Sequence, residues 1–157
     1  MINLDYQAAE AARKMIEQAT PVVDGIKAQK NQLENVVTKS LGILQEQGMY
    51  AASLYLWTRK AKEEPFAKLI LDSLYGFSLT VLGATDQPTH IAAPALYLKF
   101  VSEKLNQHLS TMLMMKEAWE LALIYARYGV KTIPEPDGPG QPKSELPAQT
   151  ATGQTKA

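Results

Sequence analysis

The sequence predicts an all-α protein: a compact bundle of about six helices followed by a disordered, Pro/Gly-rich C-terminal tail. Three observations carry this. Apolar residues recur at three- and four-residue spacing in one segment after another. No alternating β-branched run is long enough for a strand. The composition breaks near residue 132, after which residues 132–157 hold five prolines, three glycines and no aromatic residue. Such a stretch buries too little apolar area to offset its ordering entropy. The chain divides into a helical domain, residues 1–131, and a tail, residues 132–157.

The first helix is expected over residues 3–19, with Asn3 as N-cap, Asp5 favouring the positive end of the dipole, and Leu4, Ala8, Ala11, Ala12, Met15 and Ile16 as its apolar stripe. Pro21 is read as lying past its end and Asp24-Gly25 as a turn. The second spans residues 30–47, with Leu33, Val36, Val37, Ser40, Leu41 and Leu44 on one face and Gly48 as a left-handed C-cap. The third runs over 49–62, so that Arg59, Lys60 and Lys62 fall in its last turn and complement the macrodipole. Glu63-Glu64-Pro65 opens the fourth, which is apolar nearly all round from Phe66 to Leu82 and is therefore central. Gly76 within it reads as a place of close helix packing, and Gly83 as its stop. After a loop over 85–94 comes a fifth helix, 95–106. The sixth spans 109–128, with Met112, Met115, Trp119, Ala122 and Tyr125 or Ala126 as its stripe and Gly129 ending it.

Of 157 residues 46% are hydrophobic, enough for a core, and the 16 basic and 16 acidic residues cancel. No global positive field announces a nucleic-acid partner, so any such contact must come from a local patch. With no cysteine there are no disulfides, thiolate metal sites or cysteine nucleophiles. No uninterrupted run of about 18 apolar residues marks a membrane span, and the expected location is cytoplasmic.

The inventory of reactive groups is thin. Of two histidines, His90 sits in a proline-flanked loop and His108 near the start of the last helix. Glu117 and Glu120 share a helix without a histidine at matching spacing. There is no phosphate-cradling glycine loop and no nucleophile elbow. A non-enzymatic protein with no cofactor and no metal is the expectation. The dense basic group is Arg59, Lys60 and Lys62, with Lys27 and Lys30 bracketing the entry to the second helix, Lys39 on its polar side, and Arg127 and Lys131 closing the sixth. Such charges suit either plain surface solvation or contact with phosphates. Met112, Met114 and Met115 fit either a core filler or an adaptable surface.

Three stretches together carry a resemblance: residues 39–57, a helix, a glycine break and an alanine-rich helix; residues 69–74, Leu-Ile-Leu-Asp-Ser-Leu; and residues 116–128, ending in the aromatic-flanked Arg127. Their layout resembles the small helical subunit of type III-B (Cmr) CRISPR effector complexes and is similar in plan to its type III-A (Csm) counterpart. Where that family often carries Asn-Gly, this chain has Gln47-Gly48, and it is less basic than many relatives.

The resemblance implies a non-catalytic subunit that stacks with copies of itself along the inner filament, beside other CRISPR effector subunits, and contacts the guide RNA–target RNA duplex through its backbone. Lys39, Arg59, Lys60, Lys62, Arg127 and Lys131 are the candidate contacts. No membrane partner is implied. A helical protein-interaction adaptor without nucleic-acid binding is the competing reading, and an enzyme working with carboxylates alone a third.

Overall fold

The computed structural model describes residues 3–84 and 94–135. Among them are six α-helices and no strand: α1 Leu4–Val23, α2 Lys27–Gln47, α3 Met49–Trp57, α4 Glu64–Leu82, α5 Pro94–Phe100 and α6 Leu109–Val130. The all-α bundle is as expected. The loop read between α4 and α5, His90 included, and the greater part of the expected tail, residues 136–157, lie outside the described residues.

Asn3 caps α1 as its residue type suggests, its Oδ1 accepting the Tyr6 amide at 3.0 Å. The helix does not stop before Pro21 but runs through it to Asp24, which takes a left-handed cap conformation (φ 52°, ψ 39°). A mid-helix proline costs about 3 kcal/mol. Ala19 and Val23 on either side of it are fully buried, and that packing holds the helix together across the missing N–H. α2 begins three residues earlier than its stripe indicates, at Lys27. Gly48 joins α2 to α3 alone, but with φ 94° and ψ −178° it is extended rather than αL, a region essentially reserved for glycine. α3 ends at Trp57, well short of residue 62, and a 3₁₀ turn, Ala61–Glu63, leads into α4.

α4 is the most thoroughly packed element: Phe66, Ala67, Ile70, Leu71, Leu74, Tyr75, Phe77, Ser78 and Val81 are buried. Residues 61–82 have the length and apolar composition of a membrane span, and half of that window is buried inside the bundle. Gly83 closes the helix in the left-handed conformation at φ 64°. Gly76 packs against nothing: no atom lies within 4 Å of where its Cβ would stand. It opens instead onto a groove of about 450 Å³ between α1 and α4, lined by Gln7, Lys14, Asp72 and Thr80 among others. The fifth helix is interrupted, α5 passing at Val101–Leu105 into a π-helical turn closed by the Asn106 amide on the Val101 carbonyl at 2.9 Å. Tyr97 and Phe100 lay their rings against Tyr75 at 5.6 and 4.8 Å. Burial, with Asp72 and Tyr75 nearby, holds the Tyr97 phenol well above its ordinary pKa, so it remains the donor to the Leu71 carbonyl at 2.7 Å.

In α6 the stripe read from spacing is correct at its centre: Met115, Trp119, Ala122 and Ala126 are buried, while Met112 and Tyr125 are half-buried and Met114 is exposed. Gly129 does not end the helix, which continues to Val130. A Cβ on Gly129 would stand 2.7 Å from Ile16 Cγ1, so the glycine is where α1 crosses closest to α6. The packed domain also extends past residue 131. Ile133 is buried, and Lys30 on α2 donates to its carbonyl at 2.9 Å and pairs with Glu135 at 3.2 Å.

At the centre, the Trp119 indole N–H donates to Ser78 Oγ at 2.8 Å, and Ser78 donates in turn to the Leu74 carbonyl at 2.8 Å. Ser40 and Ser53 are equally buried but donate to carbonyls of their own helices. Ser78→Ala orphans a buried N–H and should cost about 1–3 kcal/mol, whereas Ser40→Ala and Ser53→Ala should shift stability by less than about 0.5 kcal/mol; urea melts of the three variants make the comparison. Gly129→Ala should destabilise the native chain despite alanine's better helix propensity. In an Ile16→Ala background the same change should stabilise it, a sign reversal that a double-mutant cycle reads directly.

Candidate nucleic-acid interface

Chain direction decides which charges meet. α2 and α6 are antiparallel: Lys30 reaches the Lys131 carbonyl at 3.5 Å near one end of the pair, and Lys116 reaches the Gln45 carbonyl at 3.3 Å near the other. α1 runs the same way as α6, with Asp5 accepting from the Tyr125 hydroxyl and Ile16 lying at Gly129. Gly48 turns α3 back along α2. As a result α1 and α6 finish, and α2 begins, at one end of the bundle, whereas α3, with nine residues to the twenty-one of α2, runs back along less than half of it. Arg127 and Lys131 lie at that end, while Arg59, Lys60 and Lys62 follow the end of α3 and border α2 and α4 around the 3₁₀ turn. Lys39 lies nine residues past Lys30 on α2, roughly 14 Å along at 1.5 Å per residue, with its side chain exposed.

The five are not equivalent. Arg59 does structural work at the end of α3. Its Nε donates to the Tyr55 carbonyl at 3.1 Å, its guanidinium lies 4.3 Å from the Tyr55 ring centre, and it pairs with Glu63 at 3.6 Å. The same last-turn carbonyl also accepts from the Thr58 amide at 3.2 Å and the Thr58 hydroxyl at 3.0 Å, so Arg59 adds to a cap that Thr58 already makes. This replaces the expectation that Arg59, Lys60 and Lys62 share the last turn of α3: the helix is over by then, and the chain turns sharply at Ala61, whose φ is 59°. Tyr55 Oη is buried there without a hydrogen-bond partner, and burial raises its pKa.

Lys60 and Lys62 flank that turn, both exposed and without an ion pair among the described residues. Arg127 is half-buried and stands 5.6 Å from the Tyr128 ring centre. Lys131 is exposed and pairs with Glu34 at 3.3 Å. Glu34 and Glu135 pair with Lys131 and Lys30, and Glu63 with Arg59, so the cations stand out as individual side chains and not as a uniform field.

Two residues that matter here were not among the candidates. Lys30 is spent on residues 131–135, a partnership more than 100 residues apart in sequence that no local pattern announces. Tyr128 is 59% exposed beside Arg127; its place in the aromatic-flanked run 125–128 was the one available signal. No group of three or more metal-ligating side chains occurs among the described residues. His108 sits at the N-cap of α6 without capping it, Glu117 is exposed, and Glu120 pairs with Lys116 at 3.7 Å.

No protein-family model, no curated protein and no solved structure matches the chain.

The division of labour among these cations has a stability consequence. Arg59→Ala removes the bond to the Tyr55 carbonyl and should lower stability by about 1 kcal/mol. Lys60→Ala and Lys62→Ala should change it by less than about 0.5 kcal/mol. Thermal midpoints of the three single variants measure this.

Proposed function

We propose that this chain is the small helical subunit of a type III CRISPR ribonucleoprotein effector, of the III-B (Cmr) kind: a cytoplasmic, non-enzymatic protein that stacks along the inner filament and holds the guide RNA–target RNA duplex by its backbone. The observation that carries this reading is a set of cations on the surface of a helical bundle: Lys60 and Lys62, exposed on either side of the turn after α3 and without an ion pair among the described residues, and Lys131, exposed at the end of α6 with Arg127 one turn before it. The three stretches that resemble the family support it. They form the α2–Gly48–α3 hairpin, the middle of α4 and the second half of α6. Cations of this kind bind phosphates without reading bases, and in guide-directed complexes base pairing supplies the sequence specificity.

A protein-interaction adaptor is the second reading. Leu109, Leu113 and Met114, on the first turns of α6, are exposed, as are Leu96, Tyr50 and Leu54. Apolar side chains in that number suit a protein partner.

Affinity purification of the tagged chain from its native cells separates the two: recovery of larger CRISPR subunits together with a guide RNA is the expected result, and recovery of proteins without RNA sides with the adaptor. Within a recovered complex, Arg59→Ala/Lys60→Ala/Lys62→Ala should weaken RNA retention and flatten its salt dependence by about one unit of log–log slope per lost phosphate contact. RNA binding that is unchanged at several salt concentrations removes the patch from the interface.

A further inference from the structure

We propose that the last turn of α6 seats an unpaired nucleotide, with Tyr128 as the stacking surface for its base and Arg127 and Lys131 as contacts for the adjoining phosphates. This rests on the RNA-binding reading above and narrows it to a kind of ligand. Tyr128 faces away from the core, to which the same turn contributes Ala126 and Val130, and its side chain is 59% exposed. An aromatic ring held out into water on a rigid helix is a ready platform for a base, whose two faces are also apolar and flat. Arg127 stands 5.6 Å from the ring centre, so a base laid on Tyr128 would have a planar cation beside it. Lys131 follows three residues on, at the C-cap of the same helix. Its pairing with Glu34 is solvent-exposed, and such pairs are weak enough for a phosphate to replace the carboxylate.

Tyr6 makes the contrast. It is 58% exposed, as open as Tyr128, but it stands in the first turn of α1 next to Asp5 and one turn from Glu10. Phosphates are repelled there. Exposure alone therefore does not make the platform; the cations on either side of Tyr128 do. An A-form duplex offers this ring little, because its bases are stacked on one another and their faces are covered. The ligand is a single-stranded segment or an unstacked nucleotide.

The test uses the full chain and two fluorescent probes, a single-stranded oligouridine and an RNA duplex of equal length, titrated at several salt concentrations. Tyr128→Ala should weaken single-strand binding by about tenfold, the size of one base–aromatic stack. It should leave duplex binding and the salt slope unchanged. Tyr128→Phe and Tyr128→Trp should keep the affinity, Lys131→Ala should reduce the slope, and Tyr6→Ala should do nothing. Circular dichroism melts confirm that each variant is folded. Single-strand affinity unchanged in Tyr128→Ala overturns the proposal while leaving the surface cations intact as an RNA site. No binding of either probe by the native chain overturns both. If Tyr128→Ala instead sheds protein subunits from the purified assembly with RNA binding unaltered, the ring is a protein contact and the nucleotide seat is wrong.

Discussion

The indole N–H of Trp119 is buried where water does not reach, and a buried donor must be paired or the fold loses most of what that side chain contributes. Ser78 meets the need because a hydroxyl can give and receive at once: it donates to its own helix at Leu74 and keeps a lone pair for the neighbouring helix. One hydrogen bond thus sets α6 in register against α4. The other elements close around that pair. α1 comes near enough only because Ala8, Ala12 and Ala19 are small and Gly129 has no side chain where Ile16 passes. α2 lies along the far side of α6, held at its two ends by Lys30 and Lys116.

Much of this was written in local sequence. The Asn3 cap, the stops at Gly48 and Gly83, the entry through Pro65 and the stripes of α2 and α4 all follow from short-range rules, and each was read correctly as to place. The errors share a cause. Pro21 and Gly129 look like terminators, yet each sits inside a helix, between buried Ala19 and Val23 in one case and buried Ala126 and Val130 in the other, and that packing outweighs the local preference. The end of α3 was missed for the opposite reason. Arg59, Lys60 and Lys62 resemble helix-end cations, but the helix ends early at the cap that Thr58 makes, and Arg59 turns back on Tyr55 to add to it. Ile133 and Glu135, read from composition as part of the tail, are held by Lys30, a residue distant in sequence.

The candidate site was legible as a list of cations but not as an arrangement. Composition gives a neutral chain, and periodicity says nothing about which helix ends coincide. Only the antiparallel run of α2 against α6 brings Arg127 and Lys131 to the end where α2 begins. The same topology sends the exposed Leu109 and Leu113 at the start of α6, and Tyr50 at the start of α3, to the opposite end.

Gly48 carries a stereochemical consequence. No atom lies within 4 Å of where a Cβ would stand on it, so bulk is not what forbids a side chain there. Its dihedrals, φ 94° and ψ −178°, are the mirror image of an ordinary extended residue. The joint between α2 and α3 therefore discriminates by handedness alone: an L-alanine is strained at this point, while a D-alanine introduced by chemical synthesis would occupy its own preferred conformation.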